Sequence, residues 1–361
     1  MYNEIEVVNL IKDLISFRST ADRVVELNKC ATFIEHFFAG TNLEINRYEH
    51  NNVPSVVITK NSRTPKIFLA GHFDVVEGND NQFKPFVDEA RLYGRGSLDM
   101  KSGLGVLMFI MKELAETKDD IGLMITGDEE VGGMNGTKFL LEQGYRSQVV
   151  VLPDGGMNPQ TIISKEKGFL RIKLNSVGIP AHSSRPWLGK NAFDSLLEAI
   201  NNIKKIFTPL SEHPEGNWVH TFNIGKISGG ATFNQVAAEA SAELDIRYTE
   251  EITLPELYKK ISLAAGEEVN AELVLSGAMT RLDRDNQLVK NYVSSLNDLG
   301  MEAIFSATHG SSDARHFAEY NIPVIMSQPQ GGNHHAVGEW VEISSLQTYY
   351  DLIKSYIKKA I

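Results

Sequence analysis

The chain has 361 residues, a formal net charge of −11, 42% hydrophobic and 22% charged residues, and a single cysteine. That length favours two domains over one core, and the acidic balance argues against a nucleic-acid binder, whose footprint would be a basic patch. With only Cys30 available, no intramolecular disulfide can form, which fits a reducing compartment.

Residues 4–40 carry apolar positions such as Ile5, Val8, Ile11, Leu14 and Ile15 at helical spacing and predict two amphipathic helices. Cys30 falls in the apolar run of the second and reads as a small buried hydrophobe. The segment 42–49 alternates, and Val53–Thr59 and Lys66–Ala70 read as strands. Residues 102–116 predict a mostly buried helix. The runs 121–126 and 148–152 are nearly continuous apolar stretches, the mark of a sheet covered on both faces. Strand, helix, strand, helix, strand in that order implies parallel pairing with right-handed crossovers.

From about residue 168 the texture changes. Strand Phe169–Ser176, helix Asn191–Phe207, strands His220–Ser228 and Ala238–Tyr248, helix Leu254–Glu267 and strand Glu272–Ser276 follow the order of a split βαβ sandwich. Alternation in Ala242-Glu-Leu-Asp-Ile-Arg247 leaves one face of that sheet polar. After about 283 the first pattern returns, with helix 287–299, strands Ala303–Ala307 and Val324–Ser327, and a closing helix 344–360. The expected architecture is an α/β domain, 1–168 and 283–361, with a mostly parallel sheet and helices on both faces. It is interrupted over 169–282 by a ferredoxin-like α+β sandwich. The start, Met-Tyr-Asn-Glu-Ile-Glu, lacks a basic segment followed by an apolar one, and no stretch approaches the roughly 20 apolar residues that span a bilayer. The expectation is a cytoplasmic protein with no membrane or nucleic-acid partner.

Ligands suited to a hard metal recur where the apolar runs stop. His72-Phe-Asp74 ends one strand, and Asp99 follows in Gly94-Arg-Gly-Ser-Leu-Asp-Met-Lys-Ser-Gly103. Asp128-Glu129-Glu130 ends a second, Asp154 follows Val149-Val-Val-Leu-Pro, and Asn333-His334-His335-Ala-Val-Gly-Glu339 closes the set. Imidazoles and carboxylates without thiolates suit Zn²⁺, Mn²⁺ or Co²⁺. The carboxyl ends of strands are where open α/β sheets build their sites. Asp74, two residues from His72 on an extended segment, shares its face and can accept its second ring N–H. Of the neighbouring Glu129 and Glu130, one can ligate while the other takes a proton from water. Each signal has a plainer alternative: a polar strand cap for His72, an N-cap for Asp99, a solvated turn at 128–130 and a Pro-Asp-Gly-Gly turn at Asp154. His334 and His335 compete for one role. In this order, the set points to metal-assisted hydrolysis.

These motifs, with Ala181-His182-Ser-Ser-Arg-Pro-Trp-Leu-Gly-Lys-Asn-Ala192, resemble the M20 family of zinc metallopeptidases and amidohydrolases over essentially the whole chain. The resemblance implies two divalent metal ions, Zn²⁺ with Co²⁺ or Mn²⁺ as substitutes. His72 and Asp154 would hold one, Glu130 and His335 the other, and Asp99 would bridge them. It implies Asp74 as the orienter of His72, Glu129 as general base, and a cis peptide at Asp99–Met100. His182 resembles an oxyanion donor, Asn234 and Arg247 resemble residues that contact a substrate carboxylate, and Gly310, Ser311 and Ser312 a substrate-facing loop. The implied reaction is hydrolysis of an N-acyl amino acid, of deacetylase or desuccinylase type. A di- or tripeptide exopeptidase is the alternative, and a metal-binding protein with a dead site a third. The inserted domain implies a lid and a homodimer, with a monomer as rival. Two departures stand out: Asn234-Gln-Val-Ala-Ala lacks the proline often found there, and Lys167 stands where desuccinylases tend to carry arginine.

Overall fold

The structure is a computed structural model and describes residues 2–60, 62–207 and 217–361. In chain order it contains α1 (Glu4–Ser16), α2 (Val24–Phe37), β1 (Glu44–His50), β2 (Val53–Thr59), β3 (Ile67–His72), β4 (Phe86–Asp88), β5 (Arg91–Tyr93), α3 (Lys101–Glu113), β6 (Ile121–Thr126), α4 (Thr137–Glu142), β7 (Val149–Leu152) and β8 (Thr161–Glu166). It continues with β9 (Gly168–Val177), α5 (Ala192–Lys204), β10 (Thr221–Gly229), β11 (Glu239–Tyr248), α6 (Leu254–Ala265), β12 (Val269–Gly277) and β13 (Thr280–Arg281). The last elements are α7 (Gln287–Asp298), β14 (Ile304–Thr308), α8 (Ala314–Ala318), β15 (Val324–Met326), β16 (Gly331–Gly332), β17 (Trp340–Glu342) and α9 (Ile343–Ala360).

Two compact units result. One comprises Met1–Lys165, Arg281–Thr308 and Ser312–Ile361; the other comprises Glu166–Thr280 with His309–Ser311. Residues 309–311, grouped by sequence with the α/β part, go with the second unit.

The first unit is built on a mixed sheet of order β1-β2-β6-β3-β7-β15-β8-β13, with β14 on β8. The centre, β6-β3-β7-β15, pairs in parallel, and the strands that flank it, β2 and β8, pair with it antiparallel. Every residue of β3, β6 and β7 is buried. Since successive side chains point to opposite faces, both faces of that centre are covered, as the continuous apolar runs foretold. Burying a Val, Leu or Ile side chain contributes about 1.5–3 kcal/mol, so these strands are the stable floor of the unit. Asn3 caps α1 and Asn286 caps α7, each accepting a backbone N–H of the first turn. A small antiparallel sheet, β16-β17-β5-β4, was not foreseen, because strands of two or three residues carry no measurable alternation.

In the second unit β10-β11-β9-β12 form an antiparallel sheet, and α5 and α6 pack on it. This is the expected βαββαβ order. The inward residues Leu170, Ile172, Leu174, Ala242, Leu244 and Ile246 form its core with Leu196, Ile200 and Ile261, and β10 is largely exposed. Among the described residues, no helix is long and apolar enough to cross a membrane.

Candidate metal centre

Register in the central sheet lines up the first group of polar residues. His72 is the last residue of β3 and pairs in parallel with Thr126, the last of β6. Glu129 and Glu130 follow β6 in a short 3-10 turn, and Asp154 follows β7 by two residues. Three carboxyl ends thus deliver an imidazole and carboxylates to one level. Asp99 arrives from the turn before α3. The N-terminal turn of that helix lies close to the β7 exit, because a Cβ on Gly103 would meet Pro153 Cβ at 2.5 Å. The N-cap of α3 is Met100, with no side-chain cap bond, so Asp99 is not the helix cap that its position allowed. The Asp99–Met100 peptide is cis.

The two oxygens of Asp99 face different partners. Oδ1 lies 3.2 Å from His72 Nε2, and Oδ2 lies 2.9 Å from His335 Nε2 and 2.7 Å from His334 Nε2. Potential ligand atoms of His72, Asp99 and Asp154 lie within 4.8 Å of one another, as do those of Asp99, His334 and His335. Glu130 Oε1 is 3.3 Å from His335 Nε2, yet it is buried and has no hydrogen-bond partner. The two histidine rings stack, with centroids 4.0 Å apart. His334 is therefore nearer the centre than sequence reasoning placed it: its ring reaches Asp99, while the ring of His335 reaches both Asp99 and Glu130.

Asp74 meets both His72 and the Glu129–Glu130 turn, and the nearer partner of the histidine is its backbone oxygen rather than the carboxylate expected from the sequence. His72 Nδ1 sits 3.0 Å from the Asp74 backbone oxygen and 3.4 Å from its Oδ1. The carboxylate also accepts the backbone N–H of Glu129 on Oδ1 at 3.2 Å and that of Glu130 on Oδ2 at 3.0 Å.

Charge in this cluster is unbalanced. Burial pushes the Glu129 carboxyl well above its usual range, Asp154, Asp313 and Asp99 add to that, and His72 opposes it. Burial likewise raises Glu130, against the pull of His335. Asp99 is held well below the carboxylate range: burial opposes ionisation, and the bonds from His334, His335 and His72 outweigh it. Crowded carboxylates with an orphaned buried oxygen on Glu130, and donors that are all oxygen or nitrogen, fit divalent cations. His72, Asp99 and Asp154 could hold one and Asp99, Glu130 and His335 a second.

The turn that carries Glu129 and Glu130 is clamped from behind. Gly132 O accepts from Arg315 Nη2 at 2.5 Å and from His316 Nε2 at 3.1 Å, and Thr137 donates to Asp313 Oδ2. Gly133 has φ 61°, and a Cβ there would meet Asp313 Oδ1 at 1.9 Å. Asp128, one residue before the turn, accepts Asn135 N–H at 2.8 Å. Burial, reinforced by Asp313, raises its carboxyl to about 7. In the first turn of α3, Lys101 is fully buried and donates to Leu14 O, Phe17 O and Ser19 Oγ at 2.9, 3.0 and 2.9 Å. Apart from Asn135, none of these partners was legible locally, because each lies 82 residues or more away in sequence.

The remaining sequence candidates lie elsewhere in the chain. Ser312, in the first unit, is buried, and its hydroxyl accepts Ala314 N–H at 3.2 Å. His182, Asn234, Arg247, Gly310 and Ser311 belong to the second unit. His182 is exposed, with Nδ1 2.8 Å from Ser184 Oγ. Asn234 Oδ1 accepts from Thr232 at 3.0 Å. Arg247 donates from Nε to Asp245 at 2.7 Å and lies over the Phe169 ring. Ser311 Oγ is buried without a partner.

Imidazoles and carboxylates gathered at the carboxyl ends of the sheet, with Asp99 between His72 and His335, suit a divalent-metal site. The chain belongs to peptidase family M20/M25/M40, whose model matches residues 68–359. It is 26% identical over 407 residues to a probable succinyl-diaminopimelate desuccinylase of Staphylococcus epidermidis, covering 99% of this chain and 94% of that one. It is also 26% identical over 370 residues to the succinyl-diaminopimelate desuccinylase of a Sulfurovum species, covering 98% of each. Among solved structures it is similar to a tripeptidase from Staphylococcus aureus, with TM-score 0.81, 23% identity and coverage of 100% and 99%. The aminopeptidase PepT of Bacillus cereus has TM-score 0.78 and 17% identity, covering 99% of each.

Proposed function

We propose that this protein hydrolyses the amide bond of an N-acyl amino acid with two divalent cations, Zn²⁺ with Co²⁺ or Mn²⁺ as substitutes. The observation that carries this reading is the division of Asp99, one oxygen toward His72 and the other toward His335. His72 with Asp154, and Glu130 with His335, would hold the two cations with Asp99 between them, and bound cations would supply Lewis acidity at the site. Asp74 sets the height of the Glu129–Glu130 turn through its two backbone hydrogen bonds. Glu129, whose carboxyl burial and neighbouring carboxylates push up, accepts the proton of the attacking water on a carboxylate oxygen and returns it to the leaving nitrogen.

Support for the acyl group comes from the relatives named as desuccinylases. The solved structures named tripeptidase and PepT favour a second reading, removal of a residue from a di- or tripeptide. His182 as oxyanion donor, Asn234, Arg247, Gly310, Ser311 and Ser312 as substrate contacts, and a homodimer through residues 169–282 remain parts of the proposal. Light scattering tests the dimer. The substrate is tested by assaying protein loaded with Zn²⁺, Co²⁺ or Mn²⁺ against N-acetyl and N-succinyl amino acids and against di- and tripeptides. Cleavage of the acyl amino acids is expected; turnover of peptides alone would replace the first reading with the second.

A further inference from the structure

Arg95 and Glu339 form an ion pair that solvent hardly reaches, with side chains 4% and 0% exposed and Nη1 2.6 Å from Oε2. Such a pair recovers little net stability over the cost of desolvating it, and a well-packed apolar pair often serves as well. The remaining bonds of these two side chains are more specific. Glu339 Oε1 accepts the backbone N–H groups of Leu98 at 2.9 Å and Asp99 at 3.1 Å. Arg95 Nη2 donates to the His335 carbonyl at 3.1 Å and to the Glu77 carbonyl at 3.4 Å. Glu339 thus has one oxygen on the Arg95 guanidinium and the other on two backbone amides.

The small sheet makes this meeting possible. β5 pairs with β17, Tyr93 opposite Trp340, and Gly94 N–H reaches Glu339 O at 3.1 Å. The loop that follows β16 is held in a costly conformation: Asn333 has φ 58° and His335 φ 57°. Non-glycine residues persist in that left-handed region only where surrounding bonds over-determine them. The bond from Arg95 to His335 O is one of these. Asn333 Nδ2 to Gly338 O at 3.0 Å and Gln82 Nε2 to Ala336 O at 3.3 Å are others.

We infer that Arg95 and Glu339 are positioning residues for the cation pair: Glu339 sets the backbone of Asp99, Arg95 sets the backbone of His335, and their ion pair ties the two segments together. This rests on the ligand set proposed above. The test compares wild type, the double variant Arg95→Met/Glu339→Met, and the single variants Glu339→Gln and Arg95→Lys. Zn²⁺ affinity is read by competition with a chromophoric chelator, geometry by the electronic spectrum of the Co²⁺-loaded protein, and folding by urea denaturation.

The double variant is expected to unfold at a lower urea concentration, because the Leu98 and Asp99 N–H groups lose their acceptor, and while folded to bind Zn²⁺ about 10–100-fold more weakly, the usual loss when the supports of metal ligands are disturbed. Its Co²⁺ spectrum should shift. Glu339→Gln, which keeps one carbonyl acceptor, should fall between wild type and the double variant. Should the double variant not fold, the two single variants decide, with weakened Zn²⁺ binding in a folded protein expected of both. Folded variants with wild-type affinity and spectrum would overturn the inference alone. A wild type that binds no divalent cation would overturn the ligand set and the inference with it.

Discussion

Asp74 holds Glu130 by its backbone: Oδ2 accepts the Glu130 N–H at 3.0 Å, while Oδ1 takes the neighbouring Glu129 N–H at 3.2 Å. One buried carboxylate on the β3 exit thus sets where the β6 exit places two others. Asp74→Asn keeps the shape but offers one acceptor oxygen instead of two, so one of these N–H groups loses its partner. Turnover is expected to fall about 10–100-fold, with circular dichroism unchanged. Wild-type turnover would show that the turn stands without Asp74.

The two glutamates of that turn should separate on substitution. Glu129→Gln cannot accept a proton, so turnover is expected to drop by at least about 10²-fold with metal content retained. Glu130→Gln is expected to lose bound metal. Elemental analysis beside the kinetics checks both, and the reverse pattern would exchange their roles.

His334 and His335 both reach Asp99 Oδ2, at 2.7 and 2.9 Å, and His335 also reaches Glu130, at 3.3 Å. His335→Ala is expected to remove one metal equivalent and His334→Ala to leave both. Loss of metal from the His334 variant alone would move the ligand by one residue.

Gly133 is a stability test of the clamp behind the turn. Its φ of 61° strains any other residue, and a Cβ would meet Asp313 Oδ1 at 1.9 Å. Gly133→Ala is expected to destabilise the protein by about 1–3 kcal/mol, read from urea denaturation, and to depress turnover with it. An alanine variant as stable as wild type would mean that Asp313 swings aside freely.

Cation removal offers a test that needs no substitution. A ligand that binds only the folded form stabilises it by about 2.7 kcal/mol when present at 100 times its dissociation constant. Dialysis against a chelator is therefore expected to lower the thermal unfolding midpoint, and added Zn²⁺ to restore it. A midpoint indifferent to both treatments would count against cations at this cluster.

Sequence alone determined the α/β class, the interrupting βαββαβ segment, and the positions where polar residues leave the sheet. Continuous apolar runs such as Ile121–Thr126 and Val149–Leu152 are buried on both faces, and the first polar residue after each must lie at the sheet's edge. Local periodicity carries that information in full. Tertiary structure decided the rest. Asp99 could have capped α3, but it faces His72 and His335, 27 and 236 positions away. Glu339, at the end of the histidine motif, could have been a ligand, yet its carboxylate is taken up by Arg95 and by the amides of Leu98 and Asp99. The Asp74 carboxylate proved to hold a turn 55 residues on as well as to approach its neighbouring histidine. These outcomes depend on which distant backbone groups arrive within hydrogen-bonding distance once the strands are in register. A hydrogen bond between segments far apart leaves no trace in local spacing, so only the folded chain discloses it.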